Sequence, residues 1–156
     1  KFNIKECFIA ESNIKKRAEI YKVVKRMKIK VRKFIHSSVV FGDRQKSNIG
    51  EGTILYPKNY IGYKTDLGKC CIIQSGCSID HHNKIDDFCN LNPGIFTGGF
   101  TKINKFSEIH IRSTIINRIK IGKNCRIGAG SLVLKNVPNN TLVYGRPAKK
   151  IRKNSS

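Results

Sequence analysis

Ile73-Gln74-Ser75-Gly76-Cys77-Ser78-Ile79-Asp80-His81-His82-Asn83-Lys84-Ile85-Asp86-Asp87-Phe88-Cys89-Asn90-Leu91 puts an aliphatic residue at every sixth position. The step continues upstream through Leu67, Ile61 and Leu55 to Ile49. Downstream it passes Thr97, Ile103, Ile109, Ile115, Ile121 and Ile127 to Val133. Fourteen of the fifteen positions are aliphatic, Thr97 being the exception, and no insertion breaks the 85 residues. The next residue is Gly, Asp or Asn in ten of the fifteen hexads, types that accept tight corners and positive φ. Four positions after each aliphatic residue the side chain is mostly small, as at Thr53, Thr65, Thr101, Ser107, Ser113 and Ser131. One large and one small inward residue per six describes short strands joined by corners and stacked into a prism, a parallel β-helix. Three hexads close one coil, so fifteen hexads make five coils.

The flanks read differently. Residues 35–48 form an irregular first coil: Ile35 and Phe41 keep the step, then Ser47-Asn48 shift the register by two. Glu6–Ala10 reads as a strand, and Ser12 or Asn13 caps a helix whose apolar face carries Ile14, Ala18, Tyr21 and Val24. Lys28–Phe34 reads as a second strand. This predicts three parts: a partial βαβ unit over 1–34, a β-helix over 35–145 and a basic tail over 146–156. The chain opens on Lys1 rather than Met, which reads as a fragment or a processed product.

Composition narrows the function. The chain has 156 residues, 31 Lys and Arg against 10 acids, and a net charge of +21. Residues 1–34 carry +9, residues 35–145 +7 and residues 146–156 +5, so the excess is spread rather than gathered into a nucleic-acid face. Lys, Ile and Asn make up 59 of the 156 residues, which accounts for much of the charge as compositional bias. No apolar run approaches the roughly 20 residues of a membrane span, and no signal peptide is visible. Six cysteines form no C-x-x-C pair. Cys71, Cys77, Cys89 and Cys125 fall on the small inward position, where a thiol packs as a small hydrophobe. Reduced thiols point to a cytoplasmic protein.

Among four histidines, His81 and His82 interrupt a hexad beside Asp80, near a corner. An imidazole there suits proton abstraction near neutral pH. Two solvated corner residues are the simpler reading of periodicity alone. No third ligand stands at a spacing that fits zinc, so no metal is expected.

Ser75-Gly76-Cys77-Ser78-Ile79-Asp80-His81, Leu91-Asn92-Pro93-Gly94, Ile127-Gly128-Ala129-Gly130-Ser131 and Gly145-Arg146-Pro147-Ala148-Lys149 together resemble the hexapeptide-repeat acyltransferases. The likeness runs from about Phe8 to Ile151. It is narrower toward the bacterial sialic acid O-acetyltransferases and UDP-amino-sugar N-acetyltransferases. The resemblance implies a left-handed β-helix, a homotrimer with sites between neighbouring copies, acetyl-CoA as donor and a sugar acceptor. It implies His81 as general base. His82 stands where the family often has a carboxylate, and Asp80 is the alternative orienting charge. Asn90 falls where a second family histidine helps hold the donor, and Gln74 where the family has an asparagine near the substrate. The donor-binding backbone positions fall on Gly99, Ile111 and Ala129. Arg146, Lys149 and Lys150 are candidates to meet CoA phosphates, or form a solvated basic tail. Residues 5–34 match the last strand, helix and strand of the Rossmann-like domain that precedes the β-helix in the family. Serine or an antibiotic as acceptor, and an inactive β-helix scaffold, are the competing readings.

Overall fold

A computed structural model describes residues 4–154; the outermost residues of the segments read as 1–34 and 146–156 lie outside the described range. Strand β1 (Glu6–Cys7), helix α1 (Ile14–Arg26) and strand β2 (Lys30–Val31) form the first unit, with β1 and β2 paired in parallel. Asn13, not Ser12, is the N-cap: its Oδ1 accepts from the Lys16 N–H at 3.0 Å. That bond satisfies one of the donors that every helix start leaves open. The buried residues of α1 are Ala18 and Arg17, the latter unforeseen by the apolar pattern.

From Phe34 onward the chain winds through two-residue strands that stack into three parallel faces. The first face runs from Phe34–Ile35 through Ile72–Ile73 and Asn90–Leu91 to Arg126–Ile127. The second runs from Val40–Phe41 through Ser78–Ile79 and Phe96–Thr97 to Leu132–Val133, and its six strands count six coils. The third comprises Asp66–Leu67, Lys84–Ile85, Lys102–Ile103 and Lys120–Ile121. Leu55 pairs with Ile73 and Ile73 with Leu91, a repeat of 18, whereas Ile35 pairs with Leu55 across 20. The two extra residues are the register shift seen at Ser47-Asn48. Five regular coils thus rest on one irregular coil.

The periodic aliphatic residues fill the prism: Leu55, Ile61, Ile73, Ile79, Ile103, Ile109, Ile115, Ile121 and Ile127 are wholly buried. The small inward residues tie coil to coil. Ser107 Oγ donates to the Gly122 carbonyl at 2.8 Å and accepts from the Cys125 N–H at 3.0 Å, so a hydroxyl staples one corner to the next. Cys77 takes the same place, its Sγ lying 3.2 Å from the Asn92 carbonyl oxygen. Burial pushes the Cys77 thiol up to about 11 and the Cys70 thiol to about 12. All six cysteines are unpaired.

Two expectations need correction. In the regular coils, left-handed residues stand three places after the periodic inward residue, as at Lys64 (φ 52), His82 (φ 54), Phe88 (φ 57) and Phe100 (φ 59). The Gly, Asp or Asn directly after the aliphatic residue does not make the turn. Glycine recurs there because coils approach closely: a Cβ on Gly62 would lie 2.5 Å from the Asp80 carbonyl carbon. The second correction concerns the basic tail. Ala148–Lys153 is a strand, antiparallel to Thr141–Gly145 and so joined to the first face. Pairing completes backbone hydrogen bonds that the last coil would otherwise leave open.

Candidate active site

The chain passes from the second face to the third at Asp80–Asn83, and this corner carries the histidines. Gly99 lies one coil, eighteen residues, after His81, and the His81 ring occupies the room that a Gly99 side chain would need. A Cβ on Gly99 would be 2.5 Å from Cε1 and 2.7 Å from Nε2 of His81. Nδ1 of His81 faces Nδ1 of His82 at 3.0 Å, with the two rings nearly perpendicular at 87°. His82 in turn stacks on Phe100, centroids 4.7 Å apart and planes at 12°, and meets Tyr63 edge-on at 5.6 Å. Both histidines are half-buried.

Asp80 does not orient the imidazole. Its Oδ1 accepts the backbone N–H of His81 at 2.7 Å, while the ring nitrogen looks toward His82. The expectation of Asp80 as the orienting charge is therefore corrected: a residue just before a corner folds its carboxylate onto the next backbone N–H. Asn83 closes the corner from inside, donating to the carbonyls of Asp80 at 2.6 Å and Gly98 at 3.1 Å. Asn83 Oδ1 and Thr97 Oγ1 are the buried side-chain atoms without a hydrogen-bond partner among the described residues, and both lie at this edge.

The remaining expected residues lie elsewhere. Ile111 and Ala129 stack in the corner between the first and second faces, across the whole second face from His81. Their N–H groups, and that of Gly99, have no acceptor among the described residues. The Gly145–Ala148 turn rises over the same corner, anchored by the Gly145 N–H on Ser131 Oγ at 3.2 Å. Exposed Arg146, Lys149 and Lys150 follow from it. Gln74 and Asn90 line a cavity of about 820 Å³ on the first face, with Asn92, Lys123, Arg126 and the start of α1.

Asn90 is spent inside the chain. Its Oδ1 accepts from Arg17 Nη2 at 2.5 Å and its Nδ2 donates to the Ser12 carbonyl at 2.9 Å. Asn90 was expected to help hold the donor; what it holds is the βαβ unit. Arg17 completes the lock, donating to the carbonyls of Cys70 (2.9 Å), Glu11 (2.7 Å) and Ser12 (3.1 Å) while wholly buried. Burial pulls its pKa down. Sequence reading missed Arg17, because two of its partners, Cys70 and Asn90, lie 53 and 73 residues on; it also missed Phe100, although that residue stands one coil after His82.

No family model matches the chain. Serine acetyltransferase 2 of Arabidopsis thaliana is 36% identical over 107 residues, covering 68% of this chain and 30% of that protein. The chain spans well under half the length of the curated relatives it matches, 28–40% for the first three. GDP-perosamine N-acetyltransferase from Caulobacter crescentus, solved as a point mutant in complex with CoA and GDP-perosamine, superposes with a TM-score of 0.92 at 22% identity. The match covers 97% of this chain and 71% of that one. The acetyltransferase domain of PglB from Neisseria gonorrhoeae FA1090, in complex with acetyl coenzyme A, gives 0.89 at 24% identity, over 92% of this chain and 69% of that one. These likenesses agree with the unbroken hexads and the inward aliphatic columns. The chain is a left-handed β-helix and belongs to the hexapeptide-repeat acyltransferase family.

Proposed function

We propose that the chain carries the transfer centre of a cytoplasmic, acetyl-CoA-dependent sugar acetyltransferase, with His81 as general base. The observation that carries the reading is the His81 ring held between Gly99 and His82, one nitrogen partnered and Nε2 left for chemistry. His81 Nε2 takes the proton from an acceptor amine or hydroxyl as that atom attacks the thioester carbonyl. The C–S bond then breaks, and the proton passes from His81 to the leaving thiolate. The Gly99 N–H, which has no acceptor among the described residues, suits the developing oxyanion.

The unpaired N–H groups of Ile111 and Ala129 fit amide carbonyls of a pantetheine arm, and Arg146, Lys149 and Lys150 fit its phosphates. These groups and His81 flank opposite edges of the second face, so one chain does not bring them together. That face also carries a row of exposed apolar side chains. Val40, Tyr60, Phe96, Ile116 and Leu134 are exposed on it. The third face presents Lys84, Lys102 and Lys120, and Ile54 and Ile72 on the first are covered. A homotrimer that buries the second face would bring the His81 edge of one copy toward a neighbour and complete the site between copies.

Of the solved neighbours described above, one holds CoA with GDP-perosamine and the other acetyl coenzyme A, which favours an amino sugar as acceptor; sialic acid, and a place in bacterial surface glycan synthesis, rest on the sequence resemblance. The domain reading follows: a βαβ segment over 1–34, the transfer domain over 35–145, and donor-phosphate contacts from 146 onward. Thiol release from acetyl-CoA, measured over a panel of nucleotide-linked amino sugars, sialic acids, serine and aminoglycosides, tests it. Release with sugars alone is the expected result. Release with serine or aminoglycosides alone, or with none, rejects the sugar assignment.

A further inference from the structure

We propose that His82 is the positioning residue of the site: a neutral imidazole that fixes the tautomer of His81 where a carboxylate would otherwise do so. The proposal rests on His81 as general base. Its geometric basis is the 3.0 Å approach of the two Nδ1 atoms. A contact that short holds one proton between the nitrogens, because two lone pairs or two N–H groups would repel. With the proton on His81 Nδ1, Nε2 carries a lone pair beside Gly99 and can act as base. With the proton on His82 Nδ1, a neutral His81 has its hydrogen on Nε2 and cannot. The chemistry therefore depends on His82 serving as acceptor.

The surroundings hold His82 in that role. Its backbone lies in the left-handed region, tied by its N–H to the Tyr63 carbonyl at 2.8 Å. Phe100 covers one face of the ring and the Tyr63 edge meets it, which sets the plane that aims Nδ1 at His81. The nearby charges are Lys64, 5.3 Å from the Tyr63 ring centre, Arg118, 5.2 Å from that of Phe100, and Asp80. Asp80 is tied to the His81 backbone and does not compete for the ring. When His81 gains the acceptor's proton on Nε2, its Nδ1–H still donates to His82, so the pair passes through the proton transfer without rearranging.

Two substitutions separate the hydrogen bond from the stack. His82→Phe keeps an aromatic ring at a corner position that already holds Phe in the next coil, but supplies no acceptor. His82→Asn supplies an amide oxygen and tolerates a positive φ. Two-bond ¹H–¹⁵N spectra of ring-labelled protein should show His81 protonated on Nδ1 in the wild type and in His82→Asn, and shifted toward Nε2–H in His82→Phe. Turnover in His82→Phe should fall roughly 10–100-fold, the range for groups that orient a functional imidazole, with KM for acetyl-CoA unchanged. His82→Asn should recover most of it. Wild-type His81 protonated on Nε2, or His82→Phe with normal tautomer and turnover, overturns the proposal while leaving the base reading intact. Full turnover in His81→Ala overturns both.

Discussion

At the scale of the residue, the site depends on what is missing from Gly99 as much as on His81. Gly99 does not have a positive φ, so alanine there meets no backbone penalty, only the His81 ring. Displacing a catalytic group by about 1 Å costs on the order of 10²-fold in rate. Gly99→Ala should lower kcat by about that factor with a melting temperature close to wild type. A normal kcat in that variant would show that the ring moves without consequence. Residue identity was the most legible level of the sequence: the hexads set off His81 and His82, and the resemblance named Gly99, while Phe100 went unnamed although it stands eighteen residues after His82. Which group orients the ring was not legible, since Asp80 and His82 are both adjacent in sequence and only the direction of each side chain distinguishes them.

At the scale of the element, each coil imposes its conformation on whatever residue it contains. Lys64, His82, Phe88 and Phe100 hold a left-handed backbone that costs roughly 1–2 kcal/mol each, which closure of the coil and burial of its aliphatic residue outweigh. Local propensity therefore misplaced the turn, reading it at the glycines, while the inward period was read correctly because coil closure and core filling demand the same spacing. Helix α1 shows the opposite limit. Its apolar face was visible, but its attachment runs through Arg17 to Asn90, 73 residues away. Gly52 and Cys70 are small where later coils have Phe88 and Phe106, and a Cβ on Gly52 would lie 3.0 Å from Val31 Cγ1 of β2. Arg17→Ala would strand the acceptors on Cys70, Glu11 and Asn90 and leave the Ser12 carbonyl with Asn90 Nδ2 alone. A loss of about 3 kcal/mol in denaturant unfolding is expected, with early release of α1 visible by hydrogen exchange. Wild-type stability would mean that the lock contributes nothing. Tyr21 and Lys25 add a weaker tie by hydrogen bonds to Glu51. The Tyr21 hydroxyl above all, with Lys25, holds the Glu51 carboxyl below its usual range. That tie is present above the ordinary carboxylate pKa and is lost as pH falls through the lowered value.

At the scale of the whole molecule, the proposed donor-binding edge and the proposed base edge are separated by a face with exposed apolar side chains. Charge in place of Phe96, which is 55% exposed near the middle of that face, would oppose self-association without disturbing the core. Phe96→Glu should scatter light as a 17.7 kDa monomer with native circular dichroism, and should lose turnover although His81 is untouched. A trimer that persists in this variant would place the interface elsewhere. The claim beneath the whole account is that His81 moves a proton and does not hold the donor. Acetyl-CoA binding by calorimetry and acetyl transfer by thiol release, measured together on wild type and His81→Ala, test it most directly. The account predicts an unchanged Kd and turnover reduced roughly 10²–10⁴-fold. Unchanged turnover, or loss of donor binding with the side chain, would contradict it.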